Sequence, residues 1–90
     1  MKTTPARSMD AWMPVEIRPG LFPTERTVQF RAADGQEIAV FVSSRQVDES
    51  QHTLTVTLLD QNNDFALIQV PSQSGPTVAK VARRELRPTG

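Results

Sequence analysis

The chain has no cysteine and no tyrosine among its 90 residues. Without cysteine there is no disulfide, no thiolate nucleophile and no Cys-based zinc site. A domain this small must then rest on packing or self-association. The missing thiols also suit a reducing compartment. Histidine is nearly absent too. His52 is the only one, and no carboxylate stands at a fixed helical spacing from it, so it reads as a surface polar residue at the start of a strand.

Glycine is scarce, and Gly20, Gly35, Gly75 and Gly90 are isolated. No glycine-rich loop is available to cradle a phosphate. None of the serines sits in a nucleophile-elbow context. Asp48 and Glu49 are adjacent acids in a loop, where neighbouring side chains do not converge on one atom. Asp60-x-Asn62-x-Asp64 begins like a calcium loop, but Phe65 replaces the glycine at the sixth position and Pro71 the glutamate at the twelfth. Asx-rich stretches of this kind are also the ordinary chemistry of β-turns. The sequence therefore predicts no catalytic residue, no metal site and no cofactor, and the chain reads as not an enzyme.

No apolar run approaches the length that spans a bilayer. The first eight residues carry Lys2 and Arg7 with no apolar stretch behind them, unlike a secretory signal. The expectation is a cytoplasmic protein with no membrane partner.

The formal charge is zero, but its distribution is uneven. Residues 1–31 hold five basic and three acidic side chains, residues 32–79 one and six, and residues 80–90 four and one. Basic ends around an acidic middle bear on partners rather than on fold.

The strongest pattern is a period of two. Val28 and Phe30 alternate with polar neighbours, and Leu54, Val56 and Leu58 alternate with Thr53, Thr55 and Thr57. Alternation of this kind is the signature of a half-buried strand, and β-branched threonine suits its outer face. Asp34-Gly35 predicts a tight hairpin with both turn positions at positive φ. Residues 36–43 are apolar on both faces and read as a central, buried strand. Ser43–Val47 fits one helical turn. Residues 65–70 form a further strand stopped by Pro71, and residues 77–82 the last, with Leu86 as a final inward anchor.

These elements predict an all-β domain. A small five-stranded antiparallel sheet tends to curl and hide its edges, so the expected form is a partly closed SH3-like barrel, with an OB-like barrel or an open meander as alternatives. Recurrent prolines at positions 5, 14, 19 and 23 argue against a regular N-terminal element. The expected organisation is a flexible tail over residues 1–10 and a single small β-domain over 11–90. Residues up to 25 would form an irregular arm, with a short edge strand around Val15 and Ile17.

Two groups of residues are candidates for binding. Trp12, Met13, Leu21 and Phe22 lie in the proline-punctuated arm. They are candidate partner-binding residues, because large apolar side chains anchor interfaces. The other reading is that they cap an open end of the barrel. Lys80, Arg83, Arg84 and Arg87 are the densest basic cluster and the candidate nucleic-acid contact, joined by Arg26 and Arg31 if the first and last strands are neighbours. Against this, the protein is neutral, and no aromatic residue is interleaved with these cations in the sequence. The leading expectation is a small non-catalytic module that binds another protein or itself. The alternative is a nucleic-acid-binding domain using the basic C-terminal strand.

Overall fold

The computed structural model describes residues 9–88. The chain is all-β, in two antiparallel sheets. Among the described residues nine strands follow in order: β1 (Met9–Pro14), β2 (Glu16–Pro19), β3 (Glu25–Arg31), β4 (Glu37–Ser43), β5 (Val47–Asp48), β6 (Thr53–Gln61), β7 (Phe65–Val70), β8 (Thr77–Ala82) and β9 (Arg87–Pro88). Short 3₁₀ turns at Ser44–Gln46 and Arg83–Glu85 join β4 to β5 and β8 to β9. The larger sheet runs β8-β7-β6-β1-β9, with β5 also paired to β6, and the smaller runs β2-β3-β4. Among the described residues the strands do not close into a barrel, so the architecture follows the open alternative.

The least expected element is β1. It begins at Met9, inside the stretch assigned to a flexible tail, and pairs with β6 from Met9↔Leu58 to Pro14↔Thr53. Residues 1–8 lie outside the described residues. Pro14 is tolerated because it sits at the end of the strand, beyond the two residues of β1 that also pair with β9. Ala11, Met13 and Val15 face inward in alternation and are all buried. Val15 carries the chain from the larger sheet to the smaller, and its N–H donates to the His52 carbonyl at 2.9 Å. His52 itself adopts φ 55, a left-handed turn conformation uncommon outside glycine.

Each long strand sends alternate residues into one core. Val28 and Phe30 come from β3, and Leu54, Val56 and Leu58 from β6. Ala66, Ile68 and Val70 come from β7, Ala79 and Val81 from β8. Leu86 is buried after the second 3₁₀ turn, and Val47 packs against the core after the first. Burying such side chains is the main favourable term in a domain without covalent staples.

β4 differs from expectation. It is an edge strand of the smaller sheet, pairing with β3 along its whole length. Only Val42 is fully buried, while Ala39 and Phe41 are exposed. A strand apolar on both faces reads as central, but here the second apolar face is open to solvent. Its other face looks inward: Ile38 and Val40 pack against the core, and at its end Val42 bridges Ser72 and the Gln73 N–H donates to the Phe41 carbonyl at 2.7 Å.

The Asp34-Gly35 hairpin forms, with one change. Gly35 has φ +90 but Asp34 does not have positive φ. The Gly35 N–H donates to the Ala32 carbonyl at 2.9 Å, and the Asp34 carboxylate accepts the Gln36 N–H, also at 2.9 Å. The result is a longer turn with glycine alone in the left-handed region.

Two exposed carboxylates are held below the ordinary range. Hydrogen bonds from Gln29 and then Arg31 lower Glu37, and the Ser50 hydroxyl followed by the Gln51 N–H lowers Asp48. A carboxylate lowered in the folded state adds stability above its unfolded pKa and loses it as pH falls through the folded value. Carboxyl-carbon NMR titration should place both midpoints below those of model peptides. Ser50→Ala should raise the Asp48 midpoint and leave Glu37 unchanged.

Candidate functional site

The structure separates the four apolar candidates. Met13 is 2% exposed and belongs to the core. Trp12, its neighbour in β1, points to the opposite face and is 40% exposed. Successive residues of a strand always part in this way. Trp12 therefore neither caps an open end nor joins Met13 in one patch.

Leu21 and Phe22 lie elsewhere, at the tip between β2 and β3. They are 75% and 65% exposed, the two most exposed large apolar side chains among the described residues. Their backbone is closely held. The Gly20 N–H donates to the Glu25 carbonyl at 3.1 Å, and the Glu25 N–H returns to the Phe22 carbonyl at 3.0 Å. The Glu25 carboxylate accepts the Leu21 N–H at 2.8 Å. Arg26 donates from Nη1 to the Pro23 carbonyl at 2.7 Å and from Nε to the Glu49 carboxylate at 3.2 Å. The Ser44 N–H reaches the Thr24 carbonyl at 2.8 Å, tying the tip to the end of β4.

The local sequence explains this geometry. Pro19 ends β2 and fixes its own φ. Gly20 follows where a Cβ would fall 2.7 Å from the Glu25 carbonyl carbon and oxygen. Pro23 and Glu25 close the turn. Beside the tip lies a recess of about 540 Å³ lined by Ile17, Pro19, Leu21, Phe22, Arg26 and Glu49, among others. A protruding apolar pair thus stands next to a hollow that it partly lines. Both signs of charge occur at its margin, where Arg18 pairs with Glu16 and Arg26 with Glu49.

The basic cluster is also divided. Arg83 and Arg84 edge a groove of about 400 Å³ with Gln61 and Asn63, over a floor of Ala11, Leu58 and Leu86. Arg83 is engaged there, donating to the Gln61 side chain at 3.1 Å. Lys80 instead places its ammonium 4.4 Å from the centroid of the Phe65 ring. Arg87 sits in β9 directly opposite Trp12. Arg26 and Arg31 do not join these residues. They belong to β3 in the smaller sheet and pair with Glu49 and Glu37. The first and last strands are indeed neighbours, as β1 and β9, but β3 lies in the other sheet.

The turn in the Asp60–Asp64 stretch is confined to Asn62–Asp64, since Asp60 and Gln61 belong to β6 and pair with Leu67 and Ala66. Asn62 Oδ1 accepts the N–H groups of Asp64 and Phe65, both at 2.8 Å. No group of three or more His, Asp or Glu side chains placed to hold a metal ion occurs among the described residues. Nor, among them, is any helix long and apolar enough to cross a membrane.

Sequence reasoning missed the relation between Trp12 and Arg87. The two are 75 positions apart, and only the β1–β9 ladder brings them together. No protein-family model matches the chain, and neither a curated protein nor a solved structure matches it.

Proposed function

We propose that this domain is a non-catalytic binding module whose contact is the Leu21–Phe22 tip and whose partner is a second copy of the chain. One observation carries the reading: the two most exposed large apolar side chains sit side by side on a backbone held by hydrogen bonds from Gly20, Leu21, Glu25 and Arg26. Loop tips are ordinarily polar, so an exposed Leu-Phe pair on an ordered turn is unlike a chance surface residue. An anchor already fixed in place loses little entropy on binding.

Self-association is favoured by what surrounds the anchor. The recess beside it is apolar in part and edged by both signs of charge. In a two-fold dimer each copy presents the same patch, so protrusion and hollow must coexist on one surface. They do so here. A cytoplasmic setting belongs to the same reading and rests on the sequence alone.

Sedimentation velocity from about 10 μM to about 1 mM tests the proposal, spanning weak dimer affinities. The wild-type chain should shift from monomer to dimer across that range. The Leu21→Asp/Phe22→Asp double variant should remain monomeric with an unchanged far-ultraviolet circular dichroism spectrum. A wild-type monomer throughout, or a dimer that persists in the variant, overturns it.

A further inference from the structure

The outer face of the larger sheet carries a second constellation. Trp12 is the only tryptophan. It lies opposite Thr55 on one side and Arg87 on the other. Directly opposed residues in a ladder share a face, so Trp12 stands in a row between Thr55 and Arg87. Trp12 is 40% exposed, so the residue is in part covered and in part open to solvent.

Against the indole lies a recess of about 220 Å³ lined by Trp12, Arg45, Gln46, Asp48, Thr53 and Thr55, with Val47. The 3₁₀ turn delivers Arg45 and Gln46, and the β5–β6 ladder places Asp48 opposite Thr53. The polar groups are of both kinds. Arg45 only donates, ionised Asp48 only accepts, and the glutamine amide and threonine hydroxyls do both. Asp48 Oδ1 is anchored by the Ser50 hydroxyl at 2.7 Å and by the N–H groups of Ser50 and Gln51. Its carboxyl is held ionised by those bonds.

The charge balance narrows the ligand. Arg45 and Asp48 cancel within the recess. Arg87, on the neighbouring strand, donates to the Arg84 carbonyl at 3.3 Å. An ionised carboxylate beside the ring disfavours a phosphate chain, and the site lacks the run of cations that a nucleic acid requires. A ligand with an apolar face for the indole and hydroxyl groups around its rim meets each of these groups. A pyranose ring has that form. Its axial C–H groups pack on an aromatic face, and its hydroxyls both donate and accept.

We infer that the Trp12 recess is a binding site for a neutral hexopyranose unit, stacked on the indole and hydrogen-bonded by Arg45, Gln46 and Asp48. The site is independent of the Leu21–Phe22 tip, which lies in the connection between strands of the other sheet.

The lone tryptophan supplies its own signal. The full chain is titrated with methyl glycosides and linear oligosaccharides of glucose, galactose, mannose and N-acetylglucosamine, following Trp12 emission and backbone amide shifts. At least one sugar should give a saturable change, with shifts confined to Trp12, Arg45–Asp48 and Thr53–Thr55. Amide shifts should show affinity for that sugar falling about tenfold or more in Trp12→Ala and also falling in Asp48→Asn, both variants retaining a folded spectrum. The Leu21→Asp/Phe22→Asp variant should bind the sugar as the wild type does. No saturable change with any of the sugars up to about 50 mM, well above the usual range of weak ligand binding, overturns the inference. So does a response to oligonucleotides alone, or binding that survives Trp12→Ala.

Discussion

Met13→Ala is expected to lower the unfolding free energy by about 2–5 kcal/mol, the usual cost of removing a large side chain from a packed core. Met13 is 2% exposed, in a cluster with Ala11, Val15, Leu54 and Val56. Its strand pairs with β6 at Leu54, which is wholly buried. The surrounding strands leave little room for collapse, and a dry hollow loses its packing contacts outright. For a domain of this size each kcal/mol moves the melting temperature by roughly 4–8 °C, so the variant should melt far below the wild type. Trp12→Ala, one residue away, should shift the melting temperature much less, because its side chain is on the solvent side. Thermal denaturation followed by circular dichroism reads both. Equal losses at the two positions would mean that β1 does not present alternate faces to core and solvent.

Gly20→Ala should have the second large effect. The added methyl carbon would stand 2.7 Å from both the carbonyl carbon and the oxygen of Glu25 and 2.8 Å from its Cγ. Two of those atoms are backbone and cannot swing aside. The turn must open, which weakens the bond from the Gly20 N–H to the Glu25 carbonyl and the bond from the Leu21 N–H to the Glu25 carboxylate. A cost of about 1–3 kcal/mol follows from forced overpacking of this kind. The proposed dimer should weaken with it, since the anchor is no longer preset. Gly35→Ala is the informative comparison. No atom beyond the adjacent residues lies within 4 Å of a Cβ there, and only the φ of +90 resists it. That variant should be destabilised by backbone strain alone while the dimer remains.

The strands with a clean alternation were legible from the amino-acid order. In β3 and β6 the inward residues are those that the period of two selects. In β7 and β8 the order leaves the inward face open, and the structure settles it by burying Ala66, Ile68 and Val70 and, in β8, Ala79 and Val81 while Leu67 and Val78 stay exposed. β1 and β4 were not legible, for opposite reasons. In β1 and the joint after it the inward series Ala11, Met13, Val15 is present, but prolines at 14 and 19 suggest a broken chain. They are harmless because each closes a strand. In β4 the residues are apolar on both faces, and nothing in their order says which face a neighbouring sheet will cover.

The candidate site was legible in part for the same reasons. Leu21 and Phe22 stand out as apolar residues between turn formers, and the structure does expose them. Grouping them with Met13 ignored the strand, in which Trp12 and Met13 must diverge. Adding Arg26 and Arg31 to the C-terminal cations assumed a closed barrel. The open sheets place them on β3, facing their own acidic partners. The recess around Trp12 joins residues of β1, the first 3₁₀ turn, β5 and β6, a meeting that only the strand pairing creates.

The passage of the chain through Val15 has a consequence for how the molecule comes apart. One uninterrupted run of backbone serves as a strand of the larger sheet up to Pro14 and of the smaller from Glu16. Fraying either half pulls directly on the other, with the Val15 amide at the joint. The two sheets are thus denied separate melting transitions. They share one cooperative unit, and the amide at the joint should be opened to solvent only when the whole domain unfolds.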